Sequence, residues 1–472
     1  MFTKNIYRNF FLIVCLLVLL INCQSKKTAQ ETKQKYISKG KIDYALSSDD
    51  EAMLDSIQYK TFLFFLNENY PEVGGVKDKS SSDAPISIAA TGFGLPSLAV
   101  GVERGWMSRD DAVDITLQTL KFYIDAQDNP ERAYKGFYYH FFDNETGNRK
   151  WNCELSSIDT SILMMGIIFA RNYYDRDTEQ EKEIRDLAEK LLENLDWSIF
   201  NMGPQSNHPN TISMAWTPEK GTTNWGWHGY TEGLFLYILA AGTGIDNPMQ
   251  HYQGWLNSYK WKTPYPNLSH VTFPPLFGHQ FSHTFIDFRG LTDQYLKEKG
   301  ISYFENSRRA TLTQQQYAIE NPKGWKGYDA YTWGFTATDG PGPIANFDDK
   351  EFEGYAGRGS SGPDDTVGED GTIGIYAPIS SLPFTPELSI KTIKNINEVM
   401  GDKIWGKYGY YDSFNQTANW ISDDFFGIDQ GPLLLMIENF RTGMIWNYVM
   451  PDPVIQNGLE TLKFDYLENT NN

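Results

Sequence analysis

The chain has 472 residues, 40% of them hydrophobic and 21% charged, with a formal net charge of −19. This balance suits a folded protein, and the acid excess excludes a nucleic-acid partner, whose phosphates require clustered Lys and Arg that the sequence lacks. Aromatic residues are unusually abundant, with 13 Trp, 28 Tyr and 29 Phe. Many stand beside Gly, Pro, Asp or His, as in residues 136–143 (GFYYHFFD), a composition suited to concave sites for flat-faced ligands such as sugars or nucleobases.

At the N-terminus, Lys4 and Arg8 precede an apolar run over 10–21, too short for a membrane span and right for the core of an export signal. Leu20-Ile21-Asn22-Cys23 resembles the cleavage box of bacterial lipoproteins. The expectation is a signal peptide over 1–22, acylation at Cys23, and a flexible polar tether over 23–47. That places the protein at the periplasmic membrane or cell surface of a Gram-negative bacterium, with a cleaved, soluble export product as the alternative. With Cys15 removed and Cys23 acylated, Cys153 is the remaining cysteine, so no internal disulfide is available. Lying beside Trp151 and Glu154 with no His close in sequence, Cys153 reads as a buried small residue rather than a nucleophile.

Helical spacing then recurs. Ser48 and Asp49 are candidate caps for a helix to about Asn69, and Ser108 to Asp111 resembles a capping box that opens a helix over 112–126. Further helices are expected near 156–174, 179–195, 229–241, 278–298, 302–320, 386–400 and 429–442. Two kinds alternate. Residues 177–194 are amphipathic and charged, whereas 161–170 (SILMMGIIFA) and 234–241 (LFLYILAA) are apolar all round, as in a buried helix. An inner ring of apolar helices within an outer ring of amphipathic ones accounts for this pairing, so the expected architecture is an all-α toroid over 48–460, followed by a tail over 461–472. A plain helical solenoid is the alternative, but no fixed repeat is present. Residues 338–377 interrupt the pattern with a long acidic, glycine-rich loop. Its Asp348, Asp349, Asp364, Asp365, Glu369 and Asp370 are conceivable calcium ligands but lack the spacing of a calcium loop, which favours a solvated lid.

Three acids share one placement, at the entrance to an apolar helix beside glycine or aromatics: Asp159 (ELSSIDTSILMMG), Glu232 (GYTEGLFLYILA) and Asp429 (FFGIDQGPLLLMIENF). Each alone reads as a helix cap. Three on converging helices suit a hydrolase in which one protonated acid serves the leaving oxygen and one carboxylate activates water. His279, His283 and Asp287 fall at i, i+4 and i+8, but Gln280 stands where a zinc protease needs its glutamate base. A polar helix face for ligand hydroxyls is preferred to a metal site, and Arg289 is expected to pair with Asp287. Walker, nucleophile-elbow and dinucleotide motifs are all missing.

The stretches GYTEGLFLYILAAG, PPLFGHQFSHTFIDFRGLTDQY, ENSRRATLTQQQYAIENP, SLPFTPE and GIDQGPLLLMIENFRTG, in that order, resemble the bacterial glucoamylase-like domain. That domain contains the β-1,2-glucanases of glycoside hydrolase family 144, and the likeness runs from about residue 50 to 450. The resemblance implies an (α/α)6 toroid with an acidic cleft and inverting hydrolysis of β-1,2-glucan or sophoro-oligosaccharides by a protein without metal or cofactor, expected as a monomer. It implies Glu232 as general acid, Asp429 as base, and Asp159 as a second base candidate or a ligand of subsite −1. Trp227, His228, Tyr230, His279, Gln280, His283, Arg289, Trp333 and Asp339 are implied sugar contacts. Departures occur at Thr231, where related sequences carry Asn, at residues 244–248, and around 374–376. Hydrolysis of another glucan linkage and non-catalytic glycan binding are the alternatives, and endo against exo action stays open.

Overall fold

The computed structural model describes residues 34–343 and 351–467. The export signal, Cys15, Cys23, Asp348 and Asp349 lie outside the described residues. The chain divides into a short unit, residues 1–36, and a main unit from 37 onward. Described residues 34–36 of the first carry no helix or strand.

In the main unit the outer helices are α1 (Ser48–Asn67), α3 (Arg109–Ala126), α5 (Glu179–Glu193), α7 (Pro248–Leu256), which was not foreseen from the sequence, α10 (Tyr303–Glu320) and α12 (Pro386–Met400). Alternating with them are α2 (Ile88–Glu103), α4 (Ser157–Tyr173), α6 (Leu234–Gly242), α8 (Phe281–Phe285), α11 (Tyr376–Ser380) and α13 (Gly427–Arg441). The second set packs in sequence, α2 on α4, α4 on α6, α6 on α8, α11 on α13 and α13 back on α2. Between α8 and α11 the ring is closed by Gln280 Nε2, which donates to Ala377 O at 2.6 Å. The result is an all-α (α/α)6 double ring, with α9 (Gln294–Lys299), α14 (Met444–Val449) and α15 (Pro453–Thr461) added outside it. On its axis Phe93 stacks on Phe285 at 5.5 Å, with Phe281 edge-on at 5.6 Å and Phe235 at 6.3 Å from Phe285.

Local chemistry sets the boundaries. Ser47 caps α1, one residue before the expected cap, and Ser108 accepts from the Asp111 amide while its hydroxyl bonds the Asp111 carboxylate at 2.6 Å. Helix α2 carries no legible periodicity, because Gly92, Gly94, Pro96 and Gly101 interrupt an otherwise wholly buried run. The glycines permit close approach. A Cβ on Gly92 would stand 2.5 Å from Ile162 O, and one on Gly166 would stand 2.1 Å from Gly92 O. The backbones of α2 and α4 therefore meet directly.

Three expectations are corrected. The helix expected over 278–298 breaks after Phe285, where the Asp287 carboxylate accepts from the Lys39 amide at 2.7 Å, so Asp287 shares no helical face with His279 and His283. Residues 37–47, expected as free tether, lie against the helices, with the Ile42 amide bonded to Phe440 O at 3.1 Å and Arg289 donating to Gly40 O at 2.5 Å. The expected tail contributes a strand, Asp465–Tyr466, paired antiparallel with Leu291–Thr292, and buries Phe464.

The described strands are all two or three residues long and join loops at the helix ends. In the 338–377 region, Ala337–Thr338 pairs with Ala356–Gly357, Gly359–Ser360 with Thr366–Val367, and Thr372–Gly374 with Ser413–Asn415. The loop is buckled by Arg358, fully buried, which bonds Asp370 at 2.8 and 3.0 Å and donates to the carbonyls of Thr338, Glu353, Gly354 and Ala356. Two more of its acids are paired, Glu369 with Lys323 at 2.9 Å and Asp365 with Lys262 at 2.8 Å.

Candidate active site

Asp159 and Asp429 are each the third residue of their inner helix, α4 and α13, and Glu232 lies two residues before α6. Asp159 joins the cap of its helix as the partner of Ser156, which is the cap residue. Ser156 accepts from its amide at 3.2 Å and donates its hydroxyl to Oδ2. The other oxygen, Oδ1, faces His140 Nε2 at 3.5 Å, and His140 Nδ1 meets Glu154 Oε1 at 2.9 Å. Burial alone would lower the His140 pKa, but Asp159, Glu154 and Asp78 more than reverse this and raise it to about 9. The imidazole is thus a cation at neutral pH.

Glu232 makes no cap. Its backbone carbonyl accepts from Ser282 Oγ at 2.8 Å, while carboxyl oxygen Oε2 is buried without a partner. Burial, opposed by a backbone hydrogen bond and reinforced by Asp159, pushes its pKa up to about 7. Asp429 is more deeply set, 1% exposed, with neither carboxyl oxygen hydrogen-bonded. Burial and the adjacent Asp412 hold its carboxyl well above the usual range, against the pull of the Tyr376 hydroxyl.

The structure gathers further groups that sequence reasoning missed. Asp412, buried, accepts on Oδ2 from the Thr338 hydroxyl and from the Asp339 amide, the latter at 2.7 Å. Burial raises its pKa to about 6 against those two donors. Asp78 rises to about 6 through burial, partly offset by His140 and Lys79. Tyr355 of the 338–377 loop packs on Phe426 at 5.1 Å, and its hydroxyl lies in the combined field of Asp429, Asp412, Asp78 and Asp159. The residue is half exposed, yet desolvation at the crowded hydroxyl first, and those charges next, push the phenol pKa well above 10.0. Only His140 carried a signal in sequence, within the aromatic stretch 136–143. Asp78 and Asp412 belong to loops and short strands where an acid has no periodic context.

Of the expected sugar contacts, Trp227, His228 and Tyr230, with Thr231, line a cavity of about 300 Å³ on the Glu232 side. Trp227 donates from Nε1 to Ser157 Oγ at 2.9 Å, tying this wall to the start of α4. His228 stacks on His208 at 3.6 Å beside the exposed Trp225. Asp339 is half-buried at the Asp412 side and accepts from Ser422 Oγ at 3.1 Å. The remaining five stand elsewhere. His279, Gln280, His283 and Trp333 have no exposed surface, so they underlie the site rather than face a ligand. Gln280 also donates to Ser381 Oγ at 2.9 Å, and His283 Nε2 meets Ser307 Oγ at 2.9 Å. Burial leaves both histidines neutral, His283 at about 3 and His279 well below its ordinary value. Arg289 pairs with Asp287 at 2.5 Å and lies over the Trp446 ring, clamping the segment at Gly40. Cys153 is half-buried, its thiol bonded to the Phe141 backbone and pushed up to about 11 by burial.

Residues 224–453 match the Glycoamylase family, described as "Putative glucoamylase". A solved "putative glucoamylase" from Bacteroides fragilis is 31% identical, with a TM-score of 0.76 over 90% of this chain and 99% of that one. The chain belongs to this glucoamylase-like family. The chain is also similar to the endo-β-1,2-glucanase of Chitinophaga pinensis, solved with sophorotriose and glucose, which is 29% identical with a TM-score of 0.76 over 89% of this chain and 99% of that one. An exo-β-1,2-glucooligosaccharide sophorohydrolase from Parabacteroides distasonis is 27% identical over 91% of this chain, which spans 62% of that relative's length. The matched family segment holds Glu232, Asp412 and Asp429, whereas Asp78, His140 and Asp159 precede it.

Proposed function

We propose that the protein is a glycoside hydrolase acting on β-1,2-linked glucan or its oligosaccharides by single displacement with inversion. Glu232 is the general acid, Asp429 the base, and Asp159 a ligand of the sugar whose bond is broken. Water oxygen attacks the anomeric carbon, the bond to the leaving oxygen breaks, Glu232 gives its proton to that oxygen, and Asp429 takes one from the water. The observation that carries this reading is Glu232 itself, a half-buried residue whose Oε2 is buried without a partner and whose pKa is pushed up to about 7, so that it retains a proton to give near neutral pH. The glucanases and sophorohydrolase among its relatives support the linkage. Export and lipid attachment at Cys23 are part of the proposal, and Cys23→Ser should release the protein from membranes on fractionation.

The test is product profiling of purified protein on a panel of glucan linkages, with the product anomer followed by NMR and Glu232→Gln as control. Turnover of β-1,2-glucan to an α-anomer, lost about 10²–10⁴-fold in the variant, is expected. A β-anomer would replace inversion by retention. Turnover of a different linkage would move the substrate, and binding without turnover on every glucan would leave a glycan-binding protein.

A further inference from the structure

We propose that Asp412 is a positioning residue for this reaction, a fixed carboxylate beside Asp429 whose negative charge tunes that residue as a base. The inference rests on the hydrolase reading above and deepens it.

Asp412 cannot turn away. Its amide donates to Asp424 O at 3.2 Å and its carbonyl accepts from the Ile375 amide at 3.1 Å. One carboxyl oxygen, Oδ2, is held by the Thr338 hydroxyl and the Asp339 amide. The other, Oδ1, is buried without a partner, as are both oxygens of Asp429; Gln430, next to Asp429, reaches the Asp412 segment by donating to Tyr410 O at 3.4 Å, and each carboxyl lies in the other's field. Two carboxylates so placed share a proton more readily than they carry two charges. Donors fall on Asp412 and none from its own helix on Asp429, so the arrangement favours the charge on Asp412 and raises the proton affinity of Asp429.

The other groups facing Asp429 do not relieve this. Tyr376 from α11 offers its hydroxyl, already engaged with Thr336 Oγ1 at 2.7 Å and Ala337 O at 2.9 Å. Tyr355 and Asp78 face it from the loops. Cations near α13 are committed elsewhere: Lys79 to Asp424 at 2.8 Å, Arg104 to Glu438 at 2.8 Å, and Arg441 to Glu51 and Asp55 of α1 at 2.8 and 2.6 Å. From α8, His283 is turned to Ser307, and Tyr448 of α14 packs on Phe169.

In the reaction Asp429 takes a proton from water, and Asp412 accepts a hydrogen bond from the new carboxylic acid. The fixed charge strengthens proton uptake and also sets the pH below which Asp429 is blocked.

The experiment is the pH profile of kcat/KM for Asp412→Asn, whose amide preserves the shape and whose oxygen still accepts from Thr338 and Asp339. The acidic limb should move down by about one pH unit or more, with kcat on the plateau falling about tenfold and KM within about twofold. An acidic limb that stays in place, or moves up, overturns the proposal, and so does a loss confined to KM. Infrared spectroscopy gives a second readout without turnover. In a Glu232→Gln background, the protonated-carboxyl band followed through an acidic titration should vanish at a lower pH once Asp412→Asn is added; a band that titrates at the same pH sinks the pair. If no glucan is hydrolysed, the functional reading fails while the infrared measurement still judges the pair.

Discussion

Glu232 illustrates how an acid at a helix entrance separates into fastening and chemistry. Its folded pKa of about 7 lies above the ordinary glutamate value of 4.5, so the folded state favours the protonated form. That contribution is complete below about pH 4.5 and is lost as pH rises through about 7. Glu232→Gln, which cannot ionise, should therefore be more stable than the wild type at pH 8, by roughly 2–3 kcal/mol, and equal to it at pH 4. Urea melts at the two pH values check this, and an equal difference at both would deny the raised pKa. The three helix-entrance acids were legible because each interrupts an apolar run, a contrast visible along one segment. Asp412 and Asp78 were not, since their meaning comes from partners far away in sequence, Asp412 bonding Thr338 and Asp78 lying in the field of His140 and Asp159. The buried His279, Gln280 and His283 mislead in the opposite way. A polar helix face looks the same in sequence whether it meets a ligand or, as with Gln280, the carbonyl of Ala377.

Between elements, the decisive contacts are glycines and one arginine. Because Gly166 meets the Gly92 carbonyl with no space for a Cβ, Gly166→Ala must spread α4 from α2. It should cost about 1–3 kcal/mol or more by overpacking, despite alanine's better helix propensity, read as a lowered denaturant midpoint. A gain in stability would contradict the close crossing. Arg358→Met strands the buried Asp370 and four loop carbonyls, with a penalty of about 3–5 kcal/mol for removing one partner of a buried pair. The expected sign is local: faster amide hydrogen exchange over 351–377 and a fall in kcat/KM, with exchange in α4 unchanged. Helix α2 itself escaped sequence reading for the reason that makes it work. Residues that permit close approach, Gly92 to the α4 backbone and Gly101 to the Phe62 ring, and a buried Pro96 are the same residues that erase an amphipathic pattern.

At the scale of the molecule, the alternation of charged and apolar helices was enough to foresee the double ring, since burial on all sides is a property of a whole segment. Its fastenings were not foreseeable. Residues 37–47 and 464–467 look polar and terminal, yet Phe464 sits 1% exposed against Tyr252, Phe288 and Tyr303. Phe464→Ala should lower stability by about 3–5 kcal/mol with an unchanged denaturant slope. A value near zero would show that this end is dispensable.

The phenylalanines on the ring axis have a consequence for traffic. Phe93, Phe281, Phe285 and Phe235 fill the middle of the toroid with touching rings, so the acids sit at the floor of a cup. No polymer strand can be threaded through such a vessel. Under the proposed hydrolase reading, a chain that reaches Glu232 and Asp429 comes over the rim, and each piece released leaves by the way its parent entered.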